Sequence, residues 1–165
     1  MTSGTSPVRV AIGSDDVGRE LKQVLIAHLT TAHAGRIRCE DADDLGGKGL
    51  DVPEIARLVA EKVRAAAADR GILICGSGVG MVITANKVPG VRAAQCHDVY
   101  TARHARNSDD AQVIVLGSRV IGSELAKVVV DAFLEAVFEP SEIRLRRMAK
   151  MAAIDRAYRS SGAET

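Results

Sequence analysis

The stretch from 71 to 80 constrains this chain more than any other: Gly71-Ile-Leu-Ile-Cys75 runs directly into Gly76-Ser-Gly-Val-Gly80. An apolar run without polar alternation suits a strand covered on both faces, as in the middle of a parallel sheet. The glycines stop that strand abruptly, and a short helix is expected near Met81 to Lys87 before Pro89-Gly90 ends it. Strand, glycine turn and helix in this order make one unit of a layered α/β domain.

The same grammar repeats along the chain. Val8-Arg-Val-Ala-Ile12 reads as a strand ending in the polar turn Gly13-Ser-Asp-Asp16. Leu21, Val24, Leu25 and Leu29, with Ala27 and Ala32, then recur at helical spacing. Ile37 to Glu40 reads as a short second strand. A loop rich in Asp and Gly (41–51) precedes Pro53, which suits a first helical turn, and Ile55, Leu58, Val59 and Val63 mark the buried face that follows. Val91 to Cys96 and Ala111 to Leu116 are expected as strands four and five, with a helix from His97 to Asn107 between them. Residues 121–137 read as an amphipathic helix buried through Ile121, Leu125, Val128, Val129, Ala132 and Phe133. Ser141 to Tyr158 forms another, carrying Arg144, Arg146, Arg147 and Lys150. The expected fold is α/β: a Rossmann-like three-layer sandwich, with a five-stranded parallel sheet and helices on both faces. It occupies 1–165 as a single domain, with 1–7 and 160–165 as flexible ends. Ligands of such folds bind outside the carboxyl ends of the strands.

Composition excludes several classes of function. A chain of 165 residues builds one core. Its 22 basic and 21 acidic residues leave a net charge of +1, and it holds two Phe, two Tyr and no Trp. Nucleic acid is therefore not an expected partner, since neither counterion release nor base stacking has a basis. No apolar run reaches the roughly 20 residues of a membrane helix. The start, Met1-Thr-Ser-Gly-Thr-Ser-Pro7, has neither the basic nor the apolar region of a secretory leader, so a cytoplasmic protein is expected. Cys39, Cys75 and Cys96 fit neither a disulfide framework nor a zinc site and are expected as reduced thiols.

Cys75 is the most informative of the three. Successive glycine N–H groups can converge on one point and form an anion nest, and a helix start adds positive potential. The same field favours a thiolate. A thiol beside oxyanion donors meets the needs of carbonyl enolisation: one group takes a proton from carbon while the others hold the enediolate oxygen. The competing reading is a buried small apolar Cys75 beside a tight turn. A nucleotide site is the runner-up, with Asp98 at a suitable distance to hold a ribose. The loop nevertheless lacks both the Gly-Lys-Ser/Thr ending of a P-loop and the G-x-G-x-x-G spacing of a dinucleotide fingerprint.

Several segments, in order along nearly the whole chain, carry a family resemblance. They are Ile12-Gly-Ser-Asp15 with Gly18-Arg-Glu-Leu-Lys22, Asp51-Val-Pro53, Ile74-Cys-Gly-Ser-Gly-Val-Gly-Met81 and Ala85-Asn-Lys-Val-Pro-Gly-Val-Arg-Ala93. Cys96-His-Asp98, Tyr100-Thr-Ala-Arg103 and Leu116-Gly-Ser-Arg-Val-Ile-Gly122 complete the set. The chain resembles the ribose-5-phosphate isomerase B and galactose-6-phosphate isomerase family. That resemblance implies a homodimer, with pairing of dimers left open, whose sites lie at the subunit interface. It also implies a cofactor-free and metal-free exchange of aldose and ketose phosphates through a cis-enediolate, acting on a small-molecule sugar phosphate. On the same footing Cys75 is the base, Ser77 the hydroxyl that shuttles a proton between O1 and O2, and Asp15 the carboxylate on the sugar hydroxyls. Asp15 alone also reads as a helix cap. Gly76, Gly78, Val79 and Gly80 correspond to the amide nest. Arg119 corresponds to a phosphate ligand, and Arg147 to an arginine that crosses to the partner's site. The family's preceding Arg-His pair falls at Ile143-Arg144, so Arg144 is the candidate replacement.

Two departures bear on the substrate. Members acting on cyclic sugars carry Asp-His in the first loop and a ring-opening His before Asn-Asp, whereas this chain has Asp15-Asp16 and Ser108-Asp109-Asp110. Ser108 is a far weaker acid than His, and His97 or His104 is the alternative donor. A four-carbon sugar phosphorylated on O4 cannot close a five-membered ring and needs no such acid. The chain thereby resembles the erythrulose-4-phosphate isomerase branch, with ribose 5-phosphate as the other substrate. Asp16 is unexpected beside a phosphate on either view. A non-catalytic sugar-phosphate sensor and one subunit of a two-chain galactose-6-phosphate-type isomerase are the competing classes of function.

Overall fold

The computed structural model describes residues 6–42 and 49–160. The expected flexible ends lie partly outside that range, as does most of the Asp- and Gly-rich loop. The elements in order are β1 (Val8–Ser14), α1 (Arg19–Ala32), β2 (Ile37–Asp41), α2 (Val52–Arg64), β3 (Arg70–Cys75) and α3 (Val79–Ala85). They continue with β4 (Ala93–Gln95), α4 (Val99–Asp109), β5 (Val113–Gly117), α5 (Ser123–Glu135) and α6 (Glu142–Ser160). All four strand pairings are parallel, in the order β2-β1-β3-β5-β4. This is the α/β sandwich expected from the alternating pattern.

Two apolar layers cover the sheet. On one face Leu25, Leu29, Phe133, Val129 and Ala102 pack onto Ile12, Ile72, Ile74 and Ile114. On the other, Ile55, Val59 and Met81 pack onto Leu73, Val113 and Val115. Strand residues alternate between the layers with the two-residue period of the pleat, so both faces of β3 and β5 must be apolar. That requirement explains the unbroken hydrophobic run that opens the sequence argument. α1 leaves β1 on the first face and α3 leaves β3 on the second, although β1 and β3 are neighbours. The chain diverges there, and the crevice between the two departing loops is the switch point at which ligands of such sheets bind.

Local chemistry sets the boundaries. α2 starts one residue ahead of Pro53 because Asp51 and Glu54 form a reciprocal capping box. α4 starts at Val99, two residues later than expected. Asp98 caps it, its carboxylate accepting from the Thr101 N–H at 2.7 Å and the Thr101 hydroxyl at 2.6 Å. Asp98, the candidate ribose ligand, is thereby accounted for as a helix cap. β4 is shorter than Val91 to Cys96 because side chains replace the ladder at both ends. The Arg92 N–H donates to Gln112 Oε1 at 2.8 Å, and the Gly117 N–H donates to His97 Nε2 at 2.8 Å. α5 is shorter than 121–137, beginning after Gly122 and ending where Ala136 turns extended.

Some faces differ from the periodicity. Ala27 and Ala32 are exposed, and Lys22 and His33 are buried in their place. Lys22 pairs with Asp41 at 2.9 Å. Leu125 and Val128 are exposed although they share the apolar pattern of α5. His28 and His33 both bond to Asp131 of α5, at 2.9 and 2.8 Å. Arg36 lies 3.0 Å from His33 Nδ1, and a guanidinium only donates, so Nδ1 accepts and Nε2 carries the hydrogen directed at Asp131. Three potential metal ligands thus form a closed hydrogen-bond network that ties α1 to α5.

Replacing Asp131 with Ala strands a buried imidazole N–H, which costs about 1–3 kcal/mol. Urea unfolding should show that loss, and a stability within 0.5 kcal/mol of the parent (~0.5, the ordinary surface value) would mean the network contributes nothing.

Candidate active site

Cys75 is the last residue of β3 and Gly117, its partner in register, the last of β5. Beyond them the two loops are laced together: Ser118 N–H donates to the Cys75 carbonyl at 2.8 Å and Arg119 N–H to the Gly76 carbonyl at 3.0 Å. The Ser118 hydroxyl adds bonds to the Val17 and Cys75 carbonyls at 3.1 and 3.3 Å. A loop held in this way keeps its geometry without a ligand.

The thiol lies at the base of the glycine loop. Cys75 is 5% exposed, and its Sγ accepts from the Gly78 N–H at 3.1 Å. Gly78 has φ of +87°, a left-handed conformation that other residues adopt only with strain, and it turns its N–H back toward the sulfur. The Val79 N–H donates to Ser77 Oγ at 3.3 Å, which leaves the hydroxyl hydrogen to face a ligand. Gly76 is partly exposed, while Ser77, Val79 and Gly80 are exposed. α3 has only seven residues, so local N–H groups rather than a long helix carry the positive potential. The other thiols stand apart: burial pushes Cys39 up to about 11 and Cys96 up to about 12, so both stay protonated near neutral pH.

Charged groups surround this nest. Asp15 follows β1, receives the Gly18 N–H on Oδ1 at 2.8 Å, and donates its own N–H to the Ile74 carbonyl at 3.3 Å. It therefore holds the entry to α1 directly beside β3. Asp16 pairs with Arg19 at the exposed rim, and the pair carries no net charge that would repel an anion. Arg119 is exposed, and its Cδ and Nε lie 3.6 Å from the point where a Cβ on Gly76 would stand. His97 is fixed at the end of β4 with Nε2 occupied by Gly117, so Nδ1–H is its available donor. His104 stacks on Tyr100 along the outer surface of α4, with ring centroids 5.5 Å apart.

A second group of expected site residues lies elsewhere. Ser108 is buried in the last turn of α4. The Asp109 carbonyl accepts from Arg92 Nε at 2.8 Å just before β4, and Gly71 at the start of β3 donates to the Gln112 carbonyl at 2.9 Å. The end of α4 therefore sits at the amino ends of the strands, and Cys75 sits four residues further along β3, about 13 Å away along the strand alone. Arg144 opens α6 and is anchored to Glu139 through its carbonyl at 2.8 Å and its carboxylate at 3.0 Å. Arg147 is exposed on the same helix. Within one chain the Cys75 loop gathers Asp15, Asp16, Ser77 and Arg119, and leaves Ser108, Asp109, Arg144 and Arg147 at the other end.

One residue at the loop went unread in the sequence. Gln95 Nε2 donates to the Ser77 carbonyl at 2.6 Å. An amide in the otherwise apolar Ala93-Ala-Gln-Cys96 strand was the available signal.

Comparison with known proteins places the chain in a family. The sequence model of the family described as Ribose/Galactose Isomerase matches residues 10–151. The D-erythrulose-4-phosphate isomerase of Pectobacterium atrosepticum is 45% identical over 130 residues, covering 79% of this chain and 84% of the relative. The Ribose-5-P isomerase B of Listeria innocua is 45% identical over 131 residues, covering 79% and 86%. The solved ribose-5-phosphate isomerase B of Clostridium thermocellum superposes with a TM-score of 0.84 at 38% identity, covering 92% of this chain and 99% of that one. Fold and identity over most of the chain agree, and the chain belongs to the ribose/galactose isomerase family.

Proposed function

We propose that this protein interconverts an aldose phosphate and a ketose phosphate through a cis-enediolate, with Cys75 as the base. The observation that carries the reading is the thiol at the bottom of the glycine loop, its Sγ receiving the Gly78 N–H at 3.1 Å with Asp15 and Arg119 on either side. In the aldose-to-ketose direction the Cys75 thiolate takes the proton from C2. The electron pair forms the C1–C2 double bond, and the carbonyl oxygen becomes the enediolate oxygen held by the loop N–H groups of Gly76 and Gly80, while those of Gly78 and Val79, also expected in the nest, stay on Cys75 Sγ and Ser77 Oγ. Ser77 relays a proton between O1 and O2, and the thiol returns its proton to C1. Asp15 orients the sugar hydroxyls and Arg119 binds the phosphate. No cofactor or metal enters these steps. Phosphorylated sugars are retained inside cells, which supports a cytoplasmic setting.

The second half of the site comes from another copy of the chain. The support is the separation of Ser108, Asp109, Arg144 and Arg147 from the Cys75 loop, together with the apolar side chains on α6. Ile143, Leu145, Met151, Ile154 and Tyr158 are all exposed there, as are Leu125 and Val128 on α5. A run of exposed apolar groups between arginines on one helix suits a surface that docks. Arg147 thus reaches the phosphate bound beside the other copy's Cys75.

Erythrulose 4-phosphate and erythrose 4-phosphate are the preferred pair. Ser108 stands where a ring-opening His would be, and His104 lies away from the loop, stacked on Tyr100 on the outer surface of α4, while His97 keeps only Nδ1–H as a donor. An enzyme without that acid suits a substrate that is always open-chain.

Three outcomes test this reading. Cys75→Ala should fold, bind substrate and lose turnover by roughly two to four orders of magnitude; turnover within threefold of the parent (~3) removes the thiol from the mechanism. Mixing inactive Cys75→Ala chains with inactive Arg147→Ala chains should restore activity, because a mixed dimer contains one site with both defects and one with neither. Failure to recover after proven subunit exchange places Arg147 outside the neighbour's site. In the aldose-to-ketose direction, kcat/KM should be higher for erythrose 4-phosphate than for ribose 5-phosphate. The reverse order makes ribose 5-phosphate the substrate.

A further inference from the structure

The Ser77–Gly78 peptide faces two ways. Its N–H donates to Cys75 Sγ at 3.1 Å, and its carbonyl oxygen accepts from Gln95 Nε2 at 2.6 Å. In a trans peptide the N–H and C=O point in opposite directions, so fixing one end of the unit fixes the other. We propose that Gln95 is a positioning residue for the thiol: by holding the Ser77 carbonyl it keeps the Gly78 N–H aimed at Cys75. This rests on the reading of Cys75 as the base.

The loop needs such a clamp. Gly78 sits at φ +87° and glycine crosses φ space freely, so the Ser77–Gly78 peptide has little intrinsic barrier to rotation. A flipped peptide would present its carbonyl oxygen to the sulfur and repel the thiolate. Two neighbours oppose that flip. Gly117 lies so close that a Cβ there would stand 2.5 Å from the Ser77 oxygen, and a Cβ on Gly78 would stand 3.0 Å from Gln95 Nε2. Gly117 confines the carbonyl by shape, and Gln95 alone supplies a donor to it among the hydrogen bonds of the described residues. Gln95 is itself held in register on β4, opposite Val115 of β5. The strand end thus transmits its position to the thiol through one side chain and one peptide.

Gln95→Met keeps the length of the side chain and removes the donor, and Gln95→Glu keeps the shape and, when ionised, turns a carboxylate toward the carbonyl. Loss of a hydrogen bond to a charged group is worth about tenfold or more, so kcat should fall by about that factor while KM stays within about twofold. The second readout is the ultraviolet absorbance of the thiolate, titrated against a Cys75→Ser reference. Cys39 and Cys96 are common to both proteins, so the difference between the two curves reports on Cys75. The Cys75 step should move to higher pH in both variants, further in Gln95→Glu. A merely structural glutamine would lower the melting temperature without moving it. A folded variant of either kind with the parent's titration and kcat overturns the proposal. The base reading is tested separately: an active Cys75→Ser enzyme refutes the thiol as base, while the titration still reports on Gln95.

Discussion

The architecture of the site depends on a close approach of two backbones at the ends of β3 and β5. Cys75 and Gly117 are partners in register, and the chain beyond Cys75 folds over Gly117 so tightly that any side chain there would collide with the Ser77 carbonyl. Because Gly117 has no side chain, the Ser77–Gly78 peptide can lie over the strand end. Gly78 then turns left-handed and its N–H comes back to the sulfur. Ser118 and Arg119 fasten the arrangement by donating to the Cys75 and Gly76 carbonyls. The Arg119 side chain is carried to the mouth of the loop by the same pair of bonds that closes it.

The electrostatics follow from that contact. The Cys75 sulfur receives a peptide N–H, whose position the sheet sets and which cannot be titrated away. Side-chain charges stay at the rim, where Asp16 and Arg19 neutralise each other and Arg119 remains exposed to solvent. The division suits a reaction in which negative charge appears on a sugar oxygen beside the sulfur while a permanent phosphate charge stays further out. The deep donors would answer the first charge and the exposed Arg119 the second.

Much of this was legible in the sequence, and the legible part was local. The apolar run of β3, its glycine loop and the thiol between them are adjacent along the chain, so composition and spacing expose them together. The features that escaped depend on distant partners. Lys22 and His33 are buried because Asp41 and Asp131 meet them from 19 and 98 residues away, which no helical period reveals. Ala27 and Ala32 are small enough to occupy either side of α1 at little cost, so their apolar character says little about direction. Gln95 acts on a carbonyl 18 residues back in the chain. The strand ends shifted for a related reason: β4 is closed by Gln112 and His97 side chains, whose reach is set by tertiary structure rather than by strand propensity.

The remaining tension lies between the apolar pattern and the exposure of single-chain side chains. Leu125 and Val128 follow the same apolar pattern as buried Val129 and Phe133, yet face solvent. α6 repeats the mismatch along its length, since its exposed Ile143, Leu145, Met151 and Ile154 alternate with Arg144, Arg146 and Arg147. The segment leading into it is tied to α4: the Glu139 N–H donates to the Asn107 carbonyl at 3.0 Å and Arg144 returns to Glu139. The proposed second copy accounts for both features at once. It would cover the apolar residues, and it would bring the arginines and Ser108 to a cleft that their own chain holds at the far end of the sheet. On the proposed reading, the geometry that separates the two halves of the site within a subunit would make catalysis conditional on assembly.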